Sequence, residues 1–282
     1  ASTGINEKTA KALGLSTDKV ILSPMSHAGY YPGGEMMTMK VLFEKDTYRL
    51  LGAQIVGFDG VDKRIDVIAT AIRAGMKAYE LAELDLAYAP PYSSAKDPVN
   101  MAGYIVENIK NGVVKQWYYE DTESLQRDEN VTLLDTRTPT EYSRGHVEGF
   151  INIPVDELRE RLSELDSSKP VYVICQSGLR SYIATRILAG NGLDCYNFAG
   201  GFRFYDAVHQ AVLLQEDHKA RLLELAAPLE LPPPSEREQQ FQALWTQFYK
   251  TLEIQARHNE KGRMTHCPKR FWADMVEMRS EL

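Results

Sequence analysis

The feature of this sequence that most constrains its fold is an alternation of strand and helix patterns between Val131 and Gly201. Short apolar runs, each of the length of a buried strand, end in charged or small residues and alternate with helical patterns. The run "PVYVIC" has the continuous apolar character of a strand that is covered on both faces. Because parallel strands need crossover connections, the alternation predicts an α/β unit with a parallel sheet.

The elements predicted for this unit follow one another along the sequence. The strands are "VTLLDTR", "GFINIP", "PVYVIC" and "CYNFAGG". The first helix is "VDELRERLSEL", and the second is "SYIATRILAGNG", which a glycine closes. One face of the first helix carries Val155, Leu158, Leu162 and Leu165. The preceding stretch, "KNGVVKQWYYEDTESLQRDE", is interpreted as a linker that leads into the unit.

Within this unit the segment "CQSGLRS" joins the strand "VYVI" to the next helix. The strand places Cys175 at the carboxyl edge of a parallel sheet, where open α/β folds carry their sites. Gly178 permits a tight turn, and the loop amides and the helix dipole favour an anionic sulfur. Arg180 adds a permanent positive charge. The pattern predicts a nucleophilic cysteine, or one that carries an anionic group after attack; the alternative is a buried structural cysteine.

Composition limits the compartment and the partners. The net charge of −7 and the pI of about 5.5 argue against electrostatic binding to nucleic acid or to an anionic membrane. No apolar run reaches the ~18 residues of a membrane span, and no secretory leader is visible. The cysteines Cys175, Cys195 and Cys267 are widely spaced and form no disulfide framework. We therefore expect a cytoplasmic protein with no nucleic-acid or membrane partner.

Residues 1–110 show a different pattern. A short helical segment, "NEKTAKALGL", precedes the strand-like runs "KVILSPM", "MMTMKVLFEK" and "YRLLGAQIVGF". A helical pattern follows in "VDKRIDVIATAIRAGM", and a second one precedes the proline-interrupted loop "YAPPYSSAKDP". Strands followed by helices predict an α+β domain with an antiparallel sheet.

The second region, taken as residues 111–207, resembles a rhodanese domain, a sulfurtransferase module, over residues 114–207. The resemblance rests on the Asp-x-Arg strand end, the Gly-His-x-x-Gly-x-x-Asn-Ile-Pro segment, the cysteine loop and the closing Gly-Gly pair. It implies that Cys175 takes a sulfane sulfur from a donor such as thiosulfate or polysulfide and passes it to an acceptor thiol or cyanide. It also implies that the persulfide is held by the loop residues Gln176, Ser177, Gly178, Leu179 and Arg180.

The length of the cysteine loop separates this interpretation from a related one. Four residues lie between Cys175 and Arg180. Related folds that act as phosphatases or arsenate reductases use a loop one residue longer to surround a tetrahedral oxyanion, so the shorter loop favours sulfur chemistry. Asp135, Arg137 and His146 are interpreted as scaffold: the first two can pair near the loop, and His146 caps a turn.

Residues 1–110 resemble the dimerisation domain of flavin-dependent pyridine nucleotide-disulfide reductases, in the branch of coenzyme A disulfide reductase and NADH-dependent persulfide reductases. The resemblance rests on "SHAGYYPGG", "LGAQIVGFDGVDKRIDVIATAIRAGM" and "LDLAYAPPYSSAKDPVNMAGYIVEN". It implies a homodimer, coenzyme A as an acceptor thiol, and FAD, NADH and coenzyme A as ligands of full-length relatives. Because the sequence has no Gly-x-Gly-x-x-Gly and no cysteine before Cys175, we expect neither a cofactor nor oxidoreductase activity in this chain alone.

The same resemblance implies roles for two tyrosines. Tyr30, in "AGYYPG", and Tyr88, in "YAPP", match residues that reach across the dimer toward the partner's redox cysteine. A phenol there can donate a hydrogen bond to a thiolate; the alternative is that both tyrosines pack a loop. Lys63 and Arg64 can meet an anionic coenzyme A, but charge on a helix surface is the preferred interpretation.

Residues 208–282 are predicted to form a helical tail of unknown function. The segment "LELPPPSERE" interrupts it, with a capping box at Ser235 and Glu238, and residues 236–278 resemble the end of an uncharacterised family. The spacing of the tail's histidines and cysteine indicates no metal site. Two functions remain open for the chain: sulfur transfer as part of a reductase, and a non-catalytic dimerisation module that carries or senses sulfur.

Overall fold

A computed structural model describes residues 1–226 of the chain. The capping box of Ser235 and Glu238 and the histidine and cysteine positions of the tail lie outside these residues. Residues 1–214 form one compact unit that contains two separate sheets. None of the helices within residues 1–226 has both the length and the apolar character needed to cross a bilayer.

The first sheet is antiparallel, as the sequence predicts. Its strands are β1 (Ser2–Gly4), β2 (Thr17–Leu22), β3 (Thr38–Glu44) and β4 (Leu50–Val56), in the order β1-β4-β3-β2. The helices of this domain are α1 (Glu7–Ala12), α2 (Val61–Arg73) and α3 (Pro98–Lys110). Apolar side chains of β3 and β4 pack against the buried faces of α2 and α3, because alternate strand residues face the same side of the sheet. The helical pattern before the proline loop forms a 3₁₀ helix, Ala78–Glu83.

The second sheet is parallel, which confirms the predicted α/β class. Its strands are β5 (Gln116–Trp117), β6 (Thr132–Asp135), β7 (Ile151–Asn152), β8 (Val171–Ile174) and β9 (Cys195–Phe198), in the order β5-β9-β8-β6-β7. The accompanying helices are α4 (Thr122–Gln126), α5 (Pro139–Ser143), α6 (Leu179–Gly190) and α7 (Gly201–Ala226). The central strands β6, β8 and β9 are almost entirely buried, so their sequences show no polar alternation.

The segment "VDELRERLSEL" is not a helix, and the prediction of one is wrong. It forms successive turns and a short 3₁₀ helix, Leu162–Glu164. Val155 N donates to Thr136 O at 3.2 Å, which ties the start of the segment to the end of β6. Leu158 and Leu165 are buried in the core nonetheless. The apolar spacing of this segment therefore reports which side chains are buried, while turns supply the backbone hydrogen bonds.

The stretch interpreted as a linker contains β5 and α4 and completes the second sheet. Trp117 is 2% exposed, and its indole N–H donates to Val173 O at 3.3 Å. Its ring lies 4.4 Å from the ring of Phe198, measured between centroids. β5 has only two residues, too few to show the alternation of buried and exposed side chains that marks a strand. The sequence therefore does not predict that Trp117 is buried.

The two sheets meet along β2. Lys19 is largely buried, and its ammonium lies 2.8 Å from a Glu7 carboxylate oxygen and 2.9 Å from one of Glu120. The Tyr118 hydroxyl donates to the Asp18 carboxylate at 2.7 Å. A cavity of about 480 Å³ lies beside these contacts and is lined by both domains, including Ser23, Gln116, Ser177, Gly178, Leu179 and Asn197. Residues on both sides of the predicted domain boundary therefore share one interface.

Candidate functional site

Cys175 directly follows β8, at the carboxyl edge of the parallel sheet, and its side chain is fully buried. Gly178 N donates to Cys175 Sγ at 3.2 Å. Ser181 Oγ lies 3.2 Å from the same sulfur and 3.2 Å from Gly178 O, so its one hydroxyl hydrogen can serve either acceptor. Gly178 has φ of +99°, a conformation that glycine adopts without strain. The loop thus turns back so that a backbone N–H and a hydroxyl face the sulfur.

Three carbonyl groups of the same loop accept hydrogen bonds from residues outside the loop. Three donors supply these hydrogen bonds: Phe202 N to Cys175 O at 2.7 Å, Arg203 N to Gln176 O at 3.1 Å, and Asn197 Nδ2 to Gly178 O at 3.3 Å. In a trans peptide group the C=O and the N–H point in opposite directions. Fixing these three carbonyl oxygens therefore fixes the N–H groups of residues 176, 177 and 179, which flank the Gly178 amide on both sides.

Arg180 is neutralised by a residue that the sequence analysis did not identify. Its guanidinium donates to both carboxylate oxygens of Glu141, at 2.6 and 2.7 Å. The hydrogen bond from Arg180 lowers the pKa of Glu141 to about 2, so the pair stays ionised at neutral pH. Glu141 also accepts from Thr138 as the acidic residue of a capping box at the start of α5. That Thr-x-x-Glu pattern is the sequence signal that marks the position of Glu141.

Asp135 and Arg137 form the pair that the sequence analysis expected near the loop. Arg137 Nη2 lies 2.7 Å from Asp135 Oδ2, and both side chains are buried. Arg137 also donates to Gly145 O at 2.8 Å and to Gln176 Oε1 at 3.4 Å, and its guanidinium lies 3.9 Å from the centre of the Phe202 ring. The ion pair therefore holds groups around the cysteine loop in place.

His146 lies near this pair without reaching the loop. Its Nδ1 lies 3.1 Å from Tyr142 O, and the two rings are stacked. These contacts agree with a residue that stabilises a turn.

A cavity of about 350 Å³ opens beside the loop, lined by Arg137, Glu141, Arg144, Gly145, Gln176 and Phe202. The pairs Asp135–Arg137 and Glu141–Arg180 each sum to zero charge. Arg144 is exposed and forms no ion pair within residues 1–226. The mouth of the site therefore carries one uncompensated positive charge.

The remaining loop residues contribute mainly through their backbone. Ser177 and Leu179 line the cavity between the two domains, and the Leu179 side chain is 59% exposed. Ser181, which the sequence analysis did not single out, is fully buried against the sulfur. Its position in the first turn of α6, three residues after the loop glycine, is the signal that would have indicated it.

The structure brings the two predicted tyrosines together. The hydroxyl oxygens of Tyr30 and Tyr88 lie 2.7 Å apart, and both side chains are exposed. The hydrogen bond with Tyr30 raises the pKa of Tyr88 above its ordinary value of 10.0. The two phenols therefore form a hydrogen-bonded pair on the surface of the first domain.

Arg64 is 1% exposed, so its interpretation as helix-surface charge is wrong. It donates to Ser26 O at 2.7 Å, to Gly60 O at 3.0 Å and to the Asp97 carboxylate at 3.0 Å. Burial alone would raise the pKa of Asp97, but hydrogen bonds, first that of Ser93, and the charge of Arg64 hold it below its ordinary value. The pair ties the segment before Tyr30 to the segment after Tyr88. Lys63 is partly exposed, 3.7 Å from Asp97.

Family models match separate parts of the chain. Residues 1–98 match the pyridine nucleotide-disulphide oxidoreductase dimerisation domain, and residues 119–207 match the rhodanese-like domain. The chain joins a reductase dimerisation domain to a rhodanese-like domain. Both resemblances inferred from the sequence are confirmed. A domain of unknown function, DUF4130, matches residues 180–277, a range that includes most of the tail.

Proteins similar to this chain are named as coenzyme A disulfide reductases and as a persulfide reductase. The coenzyme A disulfide reductase of Staphylococcus epidermidis is 43% identical over 104 residues, which are 37% of this chain and 23% of that protein. The crystal structure of reduced Bacillus anthracis CoADR-RHD is 46% identical, with a TM-score of 0.70 over 72% of this chain and 36% of that one. A NAD-dependent persulfide reductase from A. fulgidus is 42% identical, with a TM-score of 0.66 over 73% and 37%. The chain spans less than two-fifths of each relative.

The residues of this chain do not fit a dinucleotide. A pyrophosphate needs a glycine-rich turn between a strand and the start of a helix. In the parallel sheet within residues 1–226, the turn after β6 holds the Asp135–Arg137 pair, and the turn after β8 surrounds the Cys175 sulfur. The turn after β9, at Gly200 and Gly201, is packed against the cysteine loop. None of these turns has the Gly-x-Gly-x-x-Gly pattern, which is absent from the whole sequence. The chemistry proposed below therefore involves no nucleotide.

We predict that Arg64→Ala lowers the free energy of unfolding by about 3–5 kcal/mol, because it leaves the Asp97 carboxylate buried without its partner. Urea unfolding followed by circular dichroism measures this change. Arg73→Ala, at the exposed end of the same helix, is the control and should change the free energy by less than about 0.5 kcal/mol. Equal effects of the two substitutions would contradict the role given to Arg64.

The contribution of this pair also depends on pH. Since the pKa of Asp97 lies below its ordinary value of 3.8, the stabilisation is complete above pH 3.8 and is lost only as the pH falls through the lowered pKa. The difference in stability between the native chain and Arg64→Ala should accordingly shrink in strong acid.

Proposed function

We propose that the rhodanese-like domain transfers sulfane sulfur through a persulfide on Cys175. The observation that carries this proposal is the convergence of Gly178 N and Ser181 Oγ on a buried cysteine sulfur within a short loop. Hydrogen-bond donors in such a dry site stabilise an anionic sulfur more strongly than water-exposed donors do. The loop residues from Gln176 to Arg180 would hold the persulfide in the same way.

With thiosulfate as the donor, the Cys175 thiolate attacks the sulfane sulfur. A new sulfur–sulfur bond forms to Cys175 while the bond to the sulfonate sulfur breaks, and sulfite leaves with the electron pair. An acceptor thiolate or cyanide then attacks the outer sulfur of the persulfide. The bond to Cys175 breaks and the thiolate is regenerated. The protein undergoes no net oxidation or reduction, so this cycle requires no cofactor.

The names of the relatives support a proposal for the acceptor thiol and for the full activity, and the free cysteines support one for the compartment. Because relatives are named for coenzyme A disulfide and persulfide reduction, we take coenzyme A as the acceptor thiol. We further propose that the full activity is that of a reductase whose nucleotide-binding parts are not in this sequence. Cys175 and Cys195 are both free thiols, which supports a reducing, cytoplasmic compartment.

The test of sulfur transfer is the substitution Cys175→Ser. We expect the native chain to form thiocyanate from thiosulfate and cyanide, and the variant to form none, because a serine hydroxyl cannot accept sulfane sulfur. Cys195→Ser is the matched control: Cys195 is buried and donates to Thr185 O, a bond that serine can keep. Undiminished turnover by Cys175→Ser would refute the proposal. Gain of one sulfur atom by Cys175 without turnover would instead favour a carrier or sensor.

The uncompensated charge at the mouth predicts a preference for anionic donors. We expect Arg144→Glu to raise the KM for thiosulfate about tenfold, since reversing a charge near an anion at the surface changes its binding by roughly 1–2 kcal/mol. The increase should diminish with added salt.

The control for this prediction is Arg159→Glu. Arg159 lines a separate cavity with Gly190 and Asn191, at the far end of α6. Twelve helical residues separate that end from the loop, a rise of about 18 Å. A KM that rises equally in both variants would show that Arg144 has no local role.

We also propose that the chain forms a homodimer through residues 1–110, with Tyr30 and Tyr88 facing the partner's redox site in the full-length relatives. Support comes from the dimerisation-domain match and from exposed aromatic side chains on this domain, with Phe58 96% exposed. Light scattering at micromolar concentration should give the mass of two chains, and Phe58→Asp should weaken the dimer about tenfold or more. A monomeric mass that does not change on concentration would reject this interface.

A further inference from the structure

The first domain contacts the second directly behind the cysteine loop. Ser23, the residue after β2, is buried, and its hydroxyl donates to Gly200 O at 3.2 Å. Ile21 of the same strand lies against Gly200 closely enough that a Cβ added there would stand 2.9 Å from its Cγ2 atom. Two residues of the first domain thus fix the position of Gly200.

Gly200 begins the segment on which the cysteine loop rests. Its neighbour Gly201 lies so close to the loop that an added Cβ would stand 2.6 Å from Gln176 O and from Ser177 N. Both glycines have positive φ, of +95° and +71°, so the close approach depends on residues without a side chain. The next two amides, in the first turn of α7, are those that bind Cys175 O and Gln176 O.

Packing restrains this support only in part, because open space adjoins it. The cavity between the domains is lined by Ser23, Gly200, Ser177 and Gly178. Asn197 lines the same cavity, and although its Nδ2 binds Gly178 O, its Oδ1 has no hydrogen-bond partner within residues 1–226. Ile21 and Phe204 pack against Gly200, and the Ser23 hydroxyl adds a directional restraint on its carbonyl oxygen.

We propose that Ser23 is a positioning residue for sulfur transfer, acting across the domain interface through Gly200 and the first turn of α7 on the backbone of residues 175–177, which leads directly to the Gly178 amide that faces the Cys175 sulfur. The inference rests on the function proposed above. Removing the Ser23 hydroxyl frees Gly200 O and lets the segment of residues 200–203 shift. The Gly178 amide then points less directly at the sulfur when it is anionic.

The expected kinetic signature follows from geometry. The thiolate is present before donor attack and after persulfide breakdown, so poorer orientation of the amides slows chemistry and lowers kcat. The function proposed above places the donor in the cavity lined by Arg144 and Glu141, which Ser23 does not line, so the KM for thiosulfate should stay the same. A residue that merely stabilised the fold would lower the active fraction without slowing an isolated chemical step.

The experiment compares three variants of the full chain with the native one: Ser23→Ala, Ser23→Thr and Ser26→Ala. The threonine variant keeps the hydroxyl, and the adjoining cavity has room for its added methyl group. Ser26 is the matched control because it is a buried serine of the same domain whose hydroxyl accepts from Glu35 N at 3.1 Å. Urea unfolding of each variant measures how much stability the lost hydroxyl contributes.

Two rates are measured for each variant: turnover of thiosulfate and cyanide, and alkylation of Cys175 by iodoacetamide at neutral pH, followed by mass spectrometry. We expect Ser23→Ala to lower kcat about tenfold with KM unchanged, and to slow alkylation of Cys175 to a similar extent. Ser23→Thr should restore both rates, and Ser26→Ala should leave both unchanged.

Equal rates in Ser23→Ala and Ser26→Ala would overturn the inference. Because alkylation needs the thiolate and access to it but no sulfur donor or acceptor, it separates this failure from failure of the proposed function. A native chain without turnover, whose alkylation nevertheless slows in Ser23→Ala alone, would refute sulfur transfer while supporting the role of Ser23 in positioning the loop.

Discussion

The Gly178 amide faces the Cys175 sulfur from a loop whose neighbouring carbonyl oxygens, those of Cys175, Gln176 and Gly178, accept hydrogen bonds from outside the loop. A strand and a tight turn would by themselves leave those carbonyls free to rotate. The first turn of α7 and the Asn197 amide supply the missing donors. The glycines at positions 178, 200 and 201 allow the backbones to approach closely enough for these bonds to form. The geometry of the site is therefore a property of the loop and its support together.

The charged residues around the cysteine loop form two ion pairs with different roles. Asp135 and Arg137 are buried and hold neighbouring groups, while Glu141 and Arg180 are half-exposed and border the loop. A buried pair has a large desolvation cost and is kept only where further hydrogen bonds satisfy it, as Gly145 O does for Arg137. Because these two ion pairs are neutral, the charge of Arg144 makes the electrostatic potential at the mouth of the site positive.

The sequence predicts some of these features well and others poorly, for physical reasons. Cys175, Gly178, the preceding strand and the start of the next helix lie within ten consecutive residues, so local pattern is enough to identify them. The partners of Arg64 and Arg180 lie 33 and 39 positions away, and only the fold brings them together. The segment after Pro154 is predicted to be a helix but forms turns. The spacing of its apolar residues indicates which side chains are buried, but it does not determine which hydrogen bonds the backbone makes. Ser23 lies in another domain altogether, so no motif of the second domain contains it.

The full burial of Cys175 limits which part of another molecule could contact its sulfur. A persulfide adds a second sulfur about 2 Å beyond the first, the length of a sulfur–sulfur bond. That outer atom would be the reactive point nearest to solvent, while the cysteine sulfur stays screened behind the loop. A bulky thiol can then collect sulfur without entering the loop, whereas oxidants too large to enter meet no exposed cysteine. The site would thus admit acceptors of many sizes but only donors small enough to reach the Cys175 sulfur, and the same burial would exclude oxidants larger than such a donor.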